Sequence, residues 1–303
     1  MRILVIGATG AIGPHLTRHL AEHGHQVTGT SRSAARAGRI SSLGATPAVL
    51  DVLDAAATRK LVAEVRPDAV IYQATALAGM RFGRSLDKTF GPTNRLRVAG
   101  TDNVVAATRE AGVSRLIVQS FAPYRYAHSG GPAATEDEPL LADPPATARE
   151  TFAAMAHLDE AVLAAGGVAL RYGGFYGEPD QMTAAVGKRL YPLLGDGRGI
   201  MSFIHLHDAA AATVLALDVE GPALYNVTDD EPAPMRDWLP ELASALGAKP
   251  PRHLPEWIGR LMMGAGLSMT TEARGASNAK AKKELGWAPR YPSWREGFRT
   301  IGS

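Results

Sequence analysis

A glycine-rich turn between an apolar segment and an amphipathic one constrains this chain more than any other feature. The apolar residues 3–6 lead directly into the turn, and Leu16 and Leu20 then recur at helical spacing. This order predicts a strand, a tight turn and a helix. Glycines at such a turn let a pyrophosphate reach the backbone amides at the helix start. The sequence therefore predicts a dinucleotide site, with contacts from Gly7, Thr9, Gly10, Ala11, Ile12 and Gly13.

Strand-length and helix-length apolar patterns alternate through the first half of the chain, as in parallel βαβ units. We expect an α/β fold, a Rossmann-type doubly wound parallel sheet with a smaller C-terminal substrate-binding lobe. Residues 1–171 are expected to form the dinucleotide-binding body. Residues 172–303 are expected to form mainly the lobe, with some segments returning to the body. The predicted strands are residues 2–6, 26–30, 47–50, 69–73, 115–119 and 168–171.

Several further elements follow from the local pattern. The first helix is expected to end near Gly24, and a second is expected over residues 93–111, closed by Gly112. Residues 128–145 carry glycines, prolines and acidic residues without periodicity, which predicts a long surface loop. An apolar run over residues 257–263 predicts another helix.

The composition disfavours several function classes. With 303 residues, 46% of them hydrophobic, the chain can bury a large core. A net charge of +2, from 32 Lys and Arg against 30 Asp and Glu, argues against nucleic acid or an anionic membrane as partner. The lack of cysteine excludes disulfides and thiolate chemistry. No signal-peptide pattern follows Met1, and we expect a cytoplasmic protein without a metal site.

The end of the second predicted strand indicates which dinucleotide binds. A site for NAD usually offers Asp or Glu to the ribose hydroxyls here, and this chain has neither. Ser31, Arg32 and Arg36 are instead suited to a 2′-phosphate, because guanidinium matches phosphate oxygens in charge and geometry. The alternative is that these arginines are solvated surface residues. NADP(H) is the expected cofactor, and NAD(H) is the alternative.

Two further strand ends are expected to meet the cofactor. Asp51 and Val52 follow the third strand and are placed to meet the adenine ring, although Asp51 is equally suited to cap a helix. Gln73, Ala74 and Thr75 follow the fourth strand and should lie along the cofactor, because ligands of such sheets sit at strand carboxyl ends.

Ordered motifs beyond the glycine turn resemble the extended and atypical short-chain dehydrogenase/reductase superfamily, and the likeness covers nearly the whole chain. The resemblance implies a nicotinamide-dependent oxidoreductase. It also implies that Tyr172, Gly173 and Phe175 touch the nicotinamide. The matching segments are residues 98–103 (VAGTDN), 111–117 (AGVSRLI), 170–177 (LRYGGFYG), 203–208 (FIHLHD) and 284–289 (ELGWAP).

The chain departs from this superfamily at the catalytic helix. Members usually place a tyrosine and a lysine four residues apart, so that the lysine binds the nicotinamide ribose and lowers the tyrosine pKa. Counting back from Glu160, the matching positions are Phe152 and Ala156, and neither can transfer a proton. A shifted register cannot restore the pair, since no lysine lies between Lys88 and Lys188.

Other residues of the expected site are retained or replaced. An asparagine often found on the central helix is replaced by Arg97, although Asn94 lies one turn earlier. Ser120 matches a serine or threonine that hydrogen-bonds the substrate carbonyl, and it is the one expected catalytic residue. Its alternative role is to cap the following turn. Tyr124 and Tyr126 are expected to pack, with a place in the pocket as the alternative.

A second group of polar residues is assigned to structure. His205 and His207 are expected to be packed or capping residues, with a role as bases the less favoured alternative. Asp208 is expected to be the N-cap of a helix over residues 209–217.

These observations favour a ketoreductase that reduces a polycyclic aromatic, polyketide-type ketone. Without a tyrosine acid, a hydroxyl on the substrate is expected to supply the proton. Ketoreductases that tailor angucyclinone polyketides are similar in lacking this tyrosine and lysine. The apolar cluster of Trp257, Ile258, Leu261, Met262 and Met263 either covers such a ligand or completes the small lobe's core.

Two alternative functions remain at this point, a non-catalytic NADP(H) sensor or regulator and a nucleotide-sugar epimerase or dehydratase. The expected partner is a small-molecule aromatic ketone. The chain is expected to be a monomer, or a homodimer through the helices around residues 93–111 and 151–165.

Overall fold

The computed structural model describes residues 1–77, 84–263 and 267–301, without the side chains of residues 262, 269 and 270. The strands are β1 (Arg2–Ile6), β2 (Gln26–Ser31), β3 (Thr46–Val49), β4 (Ala69–Tyr72), β5 (Arg115–Phe121), β6 (Ala133–Ala134), β7 (Val168–Tyr172), β8 (Gly174–Tyr176), β9 (Leu193–Leu194), β10 (Ile200–Met201), β11 (Phe203–His205), β12 (Ala223–Val227), β13 (Ala233–Pro234), β14 (His253–Leu254) and β15 (Gly275–Ala276). The helices are α1 (Gly13–Glu22), α2 (Ala37–Ser41), α3 (Ala55–Val65), α4 (Leu86–Arg95), α5 (Thr101–Glu110), α6 (Arg149–Ala164), α7 (Gln181–Gly187), α8 (Leu206–Leu215), α9 (Met235–Ala245), α10 (Glu256–Met263), α11 (Leu267–Thr271), α12 (Ala279–Leu285) and α13 (Trp294–Gly297).

Seven parallel strands form the central sheet in the order β3-β2-β1-β4-β5-β7-β12. Ile3 of β1 lies opposite Val27 of β2 on one side and Ala69 of β4 on the other. The direction of winding therefore reverses between β1 and β4. Open α/β sheets bind ligands at such a switch point, beyond the carboxyl ends of the strands. This is the doubly wound Rossmann-type sheet that the sequence predicts.

Alternate residues of β1 face two separate hydrophobic cores. Ile3 and Val5 pack with α1, α8 and α12, whereas Leu4 and Ile6 pack with α3, α5 and α6. A strand buried on both faces must be apolar throughout. Apolar runs in the sequence therefore locate the sheet.

A smaller lobe lies beyond β7, and its own core forms around Phe203, Trp238, Trp294 and Phe298. Not all of this second part of the chain leaves the body, since β12 pairs with β7 at the edge of the sheet. No helix within the described ranges is long and apolar enough to cross a bilayer.

The structure differs from the sequence-based prediction in the following elements. The helix expected to begin at residue 93 begins at Leu86, where the hydroxyl of Ser85 accepts the amide of Lys88. Residues 96–100 then form a π-helical turn before α5. Within the loop expected over residues 128–145, β6 pairs with β15. Strand β12 was not predicted, because Asn226 interrupts its apolar pattern.

Candidate active site

The glycine turn after β1 is closely packed against β4. Gly7 has φ +95°, and a Cβ atom there would lie 2.8 Å from the backbone nitrogen of Ala74. A Cβ atom at Gly13 would overlap the backbone of Ala8. Helix α1 has Ile12 at its N-cap and no side-chain cap. In its first turn the amide of Gly13 donates to the carbonyl of Gly10 at 3.1 Å and Pro14 has no N–H, so neither residue offers an amide to a ligand. The close backbone approach at Gly7 and Gly13 is typical of a turn that holds a pyrophosphate, and that contact stays a prediction.

The carboxyl ends of β4 and β7 meet beside this turn. Nε2 of Gln73 donates to the Tyr172 hydroxyl at 3.3 Å, and that hydroxyl is 2.6 Å from Oγ1 of Thr213. Burial raises the pKa of Tyr172 to about 12. Oε1 of Gln73 is buried without a hydrogen-bond partner in the described part of the chain. An unsatisfied buried acceptor at this edge fits a ligand that brings a donor.

The other expected nicotinamide contacts follow β7. The Phe175 ring centroid lies 5.3 Å from that of Tyr172. Position 173 requires glycine, because a Cβ atom there would lie 2.7 Å from the carbonyl carbon of Phe203. The expected contacts Ala74 and Thr75, which follow Gln73, are half-buried.

The expected phosphate clamp lies at the end of β2. Arg32 and Arg36 are exposed, and Nη1 of Arg36 lies 3.5 Å from Oγ1 of Thr9, across the mouth of the turn. The Ser31 hydroxyl donates to the carbonyl of Ser33 at 2.7 Å. Its proton is therefore engaged within the protein, and the two arginines are the free donors at this position.

Asp51 is exposed, and its Oδ1 accepts the amide of Leu53 at 3.1 Å. The suggestion that it caps a helix is wrong, because Asp54 caps α3 by accepting the amide of Ala57. Val52 is buried, and its carbonyl accepts Nδ2 of Asn103 at 2.9 Å. The contact of these residues with adenine stays a prediction.

Helix α6 carries the two substituted catalytic positions. Phe152 and Ala156 lie one turn apart and are both half-buried. The preceding residue, Thr151, is fixed by Asp87, whose Oδ1 accepts both its amide and its hydroxyl at 2.8 Å. These hydrogen bonds fix the first turn of the helix. The side chains of Phe152 and Ala156 have no proton to exchange.

A buried ionic cluster lies behind Ser120. Oδ2 of Asp159 accepts Arg125 at 2.6 Å and Arg171 at 2.8 Å. Burial opposes ionisation of Asp159, but the two guanidinium charges outweigh it and hold the pKa of the carboxyl below its usual value. The Ser120 hydroxyl accepts Nη1 of Arg125 at 3.3 Å. Ser120 is thus tied to the cluster, and its substrate contact stays a prediction.

The two tyrosines after β5 have different surroundings. The Tyr126 hydroxyl is buried, donates to Asn226 at 2.7 Å and accepts from Arg171 at 3.1 Å, so this residue packs as expected. Tyr124 is partly accessible and has φ +65°, a conformation rare outside glycine. Burial, together with the neighbouring Tyr191, raises the pKa of Tyr124 well above its usual range. Tyr124 therefore stays protonated, and its ring centroid lies 6.4 Å from that of Phe121.

The histidines at the start of α8 make local contacts, and the predicted N-cap is wrong. His205 is the N-cap of α8, where its Nδ1 accepts the amide of His207 at 3.0 Å. The carboxylate of Asp208 instead accepts the amides of Arg290 at 2.8 Å and Tyr291 at 2.9 Å. It thereby fixes a distant segment of the chain to the helix.

Helix α10 presents an exposed apolar face. Trp257 is 68% exposed and Leu261 is 66% exposed, whereas Ile258 is half-buried. The carbonyl of Leu261 accepts Nη2 of Arg84 at 2.7 Å, beside an open depression of about 590 Å³. Trp257 and Leu261 therefore do not belong to the core of the lobe. The side chain of Met262 lies outside the described residues.

Sequence reasoning missed the ionic cluster and the surroundings of Arg97. A charged residue inside the apolar strand β7 was the available signal, because a buried arginine needs a partner. Arg97 is partly accessible, and burial, together with the charge of Arg125, lowers its pKa to about 10. Among the residues described, no three His, Asp or Glu side chains are grouped to hold a metal.

Comparisons with known proteins identify the family of this chain. Residues 3–228 match the NAD dependent epimerase/dehydratase family. The chain is 40% identical to a 3-diazoavenalumate denitrifying reductase from a Streptomyces species, over 98% of this chain and 99% of that protein. It is 28% identical to a 4-hydroxy-2-methyl-3-oxo-4-farnesyl-3,4-dihydroquinoline-1-oxide ketoreductase from Stigmatella aurantiaca, over 96% and 92% of the two chains.

A solved structure of UDP-glucose 4-epimerase from Thermus thermophilus, in complex with NAD, has the same fold. Its TM-score is 0.76 and its sequence identity 24%, with 99% of this chain and 97% of the other covered.

Proposed function

Because the chain belongs to the NAD dependent epimerase/dehydratase family, with relatives named as reductases, we propose that it transfers a hydride to an aromatic small molecule without protonating it. The observation that carries this proposal is the pair Phe152 and Ala156 on α6. Hydride transfer needs alignment of donor and acceptor, which binding supplies. A reaction that needs a tyrosine acid is disfavoured at this site.

The first candidate substrate is an aromatic diazo compound, since a relative at 40% identity is named for denitrifying one. In this reaction a C–H bond forms with the electron pair of the hydride, which a reduced nicotinamide supplies when bound. The C–N bond breaks, and its electron pair leaves with dinitrogen. Hydrogen therefore replaces dinitrogen on the carbon, and no proton is needed at that carbon. A site without an acid is therefore sufficient.

The second candidate is a polycyclic, polyketide-type ketone with a neighbouring hydroxyl. The relative named as a ketoreductase, whose substrate name contains an oxo and a hydroxy group, supports it. Hydride adds to the carbonyl carbon, and the hydroxyl of the substrate protonates the oxygen before solvent restores that proton. Ser120 and the protonated phenol of Tyr124 are the side chains suited to donate hydrogen bonds to the oxygen.

For the cofactor, we propose NADP(H) in preference to NAD(H). The turn residues 7–13 are suited to the pyrophosphate, because the glycines bring backbone without side chains to the ligand. Arg32 and Arg36 are suited to the 2′-phosphate, and Gln73 is suited to accept a hydrogen bond from the cofactor. Phe175, beside Tyr172, is suited to a flat ring.

Turnover with an isotopically labelled cofactor tests the function. The protein is incubated without oxygen with NADPH or NADH carrying deuterium at the transferable position, and with aromatic diazo acids or hydroxylated polycyclic ketones. We expect cofactor oxidation and one deuterium in the product. Release of dinitrogen identifies the first candidate, and an alcohol identifies the second. No cofactor oxidation with either set would overturn the proposal in favour of a non-catalytic sensor.

A further inference from the structure

Arg97 is a cation without a carboxylate of its own. The cluster around it contains Arg125 and Arg171, and these two share Asp159. Arg97 makes no ion pair among the residues described. Its pKa of about 10 keeps it charged at neutral pH. The negative charge of Asp159 acts on Arg97 from nearby, but that carboxylate is paired with Arg125 and Arg171. A partly desolvated cation with no ion pair of its own would stabilise a ligand anion beside it.

A relay of side chains fixes the guanidinium of Arg97. Oδ1 of Asn94 accepts Nη1 of Arg97 at 3.1 Å, and Nδ2 of Asn94 donates to the Thr151 hydroxyl at 3.0 Å. That hydroxyl in turn donates to Asp87 at 2.8 Å. The relay sets the orientation of the Asn94 amide, so that its oxygen faces the arginine. The hydrogen bond to Asn94 uses one N–H of the guanidinium. An arginine has five N–H donors, so others can bind a ligand.

The backbone at Arg97 is also unusual. Residues 96–100 form a π-helical turn inserted between α4 and α5. Such turns are rare and recur at functional sites, where they redirect a side chain. The Arg97 guanidinium carbon lies 5.9 Å from the centroid of the Phe90 ring. This apolar neighbour leaves the cation poorly solvated on one side.

The position of Arg97 connects it with the proposed reaction site. It bonds Asn94, which bonds Thr151, and Thr151 directly precedes Phe152 on α6. The side chain is half-buried, and burial lowers its pKa. An anion bound here would lie near the first turn of α6, which carries Thr151 and Phe152.

We propose that Arg97 binds a carboxylate of the substrate and that the substrate is therefore an aromatic acid. This inference rests on the proposed function, because it assigns the substrate class of the same site. The planar guanidinium pairs with both oxygens of a carboxylate, and the Phe90 ring beside it is placed to contact the aromatic part. The arginine positions the acid, and it takes no part in proton transfer.

Equilibrium binding tests the proposal independently of turnover. Benzoate, 4-hydroxycinnamate and 1-naphthoate are each compared with the corresponding primary amide, by calorimetry on the protein saturated with oxidised cofactor. We expect at least one acid to bind the unmodified protein about 10-fold or more tightly than its amide, from one charge-assisted pair. Equal or weaker binding of all three acids would overturn the proposal, whatever the variants show.

Variants identify the residue. In Arg97→Gln the preference for acid over amide should disappear, while binding of the amide and of NADPH stays within about twofold. Arg97→Lys should keep part of the preference, since it retains the charge without the planar fork. The control is Arg95→Gln, at an exposed arginine at the end of α4, which should change neither.

Two results would contradict this assignment. If Arg97→Gln weakened NADPH binding and left the acid preference intact, the cation would serve the cofactor instead. If Arg95→Gln had the same effect as Arg97→Gln, the effect would come from long-range charge. Failure of the turnover experiment together with an acid preference lost in Arg97→Gln would reject the proposed reaction and leave the anion site standing.

Discussion

A Cβ atom on Gly7 would lie 2.8 Å from the backbone nitrogen of Ala74, and this approach brings the glycine turn against the end of β4. Gly7→Ala should therefore displace the turn and also strain a residue at φ +95°. We expect a loss of about 1–3 kcal/mol in the free energy of unfolding. Binding of NADPH, followed by fluorescence titration, should weaken at least about 10-fold.

Gly24→Ala is the matched control for this substitution. Gly24 has φ +74°, but a Cβ atom there meets nothing within 4 Å. It should lose about 1 kcal/mol of stability from backbone strain and keep its NADPH affinity. Equal loss of NADPH affinity in both variants would mean that general destabilisation, and not the approach to Ala74, controls the site.

The exposed arginines at the end of β2 are expected to determine the cofactor preference. Replacing Arg32 or Arg36 with Ala removes a charged donor that would bind the 2′-phosphate of NADPH. NADH has no phosphate at this position, so its binding depends little on these side chains. We expect NADPH affinity to fall about 10-fold and NADH affinity to change less than about twofold, measured by calorimetry. Arg59→Ala on α3, whose arginine pairs with Glu110, is the control and should change neither. Equal affinities of the unmodified protein for NADPH and NADH would remove the case for a phosphate clamp.

Phe152 is expected to orient the substrate without transferring a proton. Its half-buried ring lies next to Thr151, which Asp87 holds in place. Phe152→Ala should raise KM, while kcat falls by less than the about 10²-fold that loss of a general acid would cause. Steady-state kinetics on the substrate found by the turnover experiment provide the measurement. Phe152→Leu, which keeps apolar volume, should recover part of the KM. A collapse of kcat with substrate binding intact would contradict this role.

The sequence predicted the parts of the fold that depend on local patterns. Strands buried on both faces, such as β1 and β4, are continuous apolar runs, and their predicted ends lie within one residue of the observed ones. The glycine turn could also be predicted, because its positive φ and close backbone approach require glycine. Strand β12 was missed because Asn226 is satisfied by Tyr126, which is distant in sequence.

The parts of the site that escaped prediction depend on contacts between distant residues. Aspartate is a residue type that often caps helices, but the carboxylate of Asp208 accepts hydrogen bonds from the amides of Arg290 and Tyr291. Arg125 and Arg171 become a cluster only when the fold brings both to Asp159. A single sequence shows neither partner. The π-helical turn at Arg97 has no pattern of its own, because it depends on how α4 and α5 pack on the sheet.

Asp229, beyond the end of β12, is a buried acid whose protonation should govern the pH dependence of stability. It is 1% exposed, and burial raises the pKa of its carboxyl well above the usual value. Its Oδ1 accepts the amide of Glu231 at 3.3 Å, while Oδ2 has no partner in the described ranges. The folded protein therefore keeps a proton that the unfolded chain releases above about pH 4. Stability should fall as pH rises from that value towards the pKa of the folded state.

Asp229→Asn should remove this dependence, because an amide is similar in shape, keeps the acceptor for Glu231 and never ionises. We expect the free energy of unfolding at neutral pH to rise by about 1 kcal/mol or more, since each unit of pKa difference corresponds to about 1.4 kcal/mol. Urea denaturation between about pH 4 and about pH 8 provides the measurement, and the variant should show a flatter profile. Asp237→Asn, at an exposed acid near Arg236, should leave the profile unchanged. If Asp229→Asn were less stable than the unmodified protein at neutral pH, the buried carboxylate would be ionised and paired, contrary to the geometry around Oδ2.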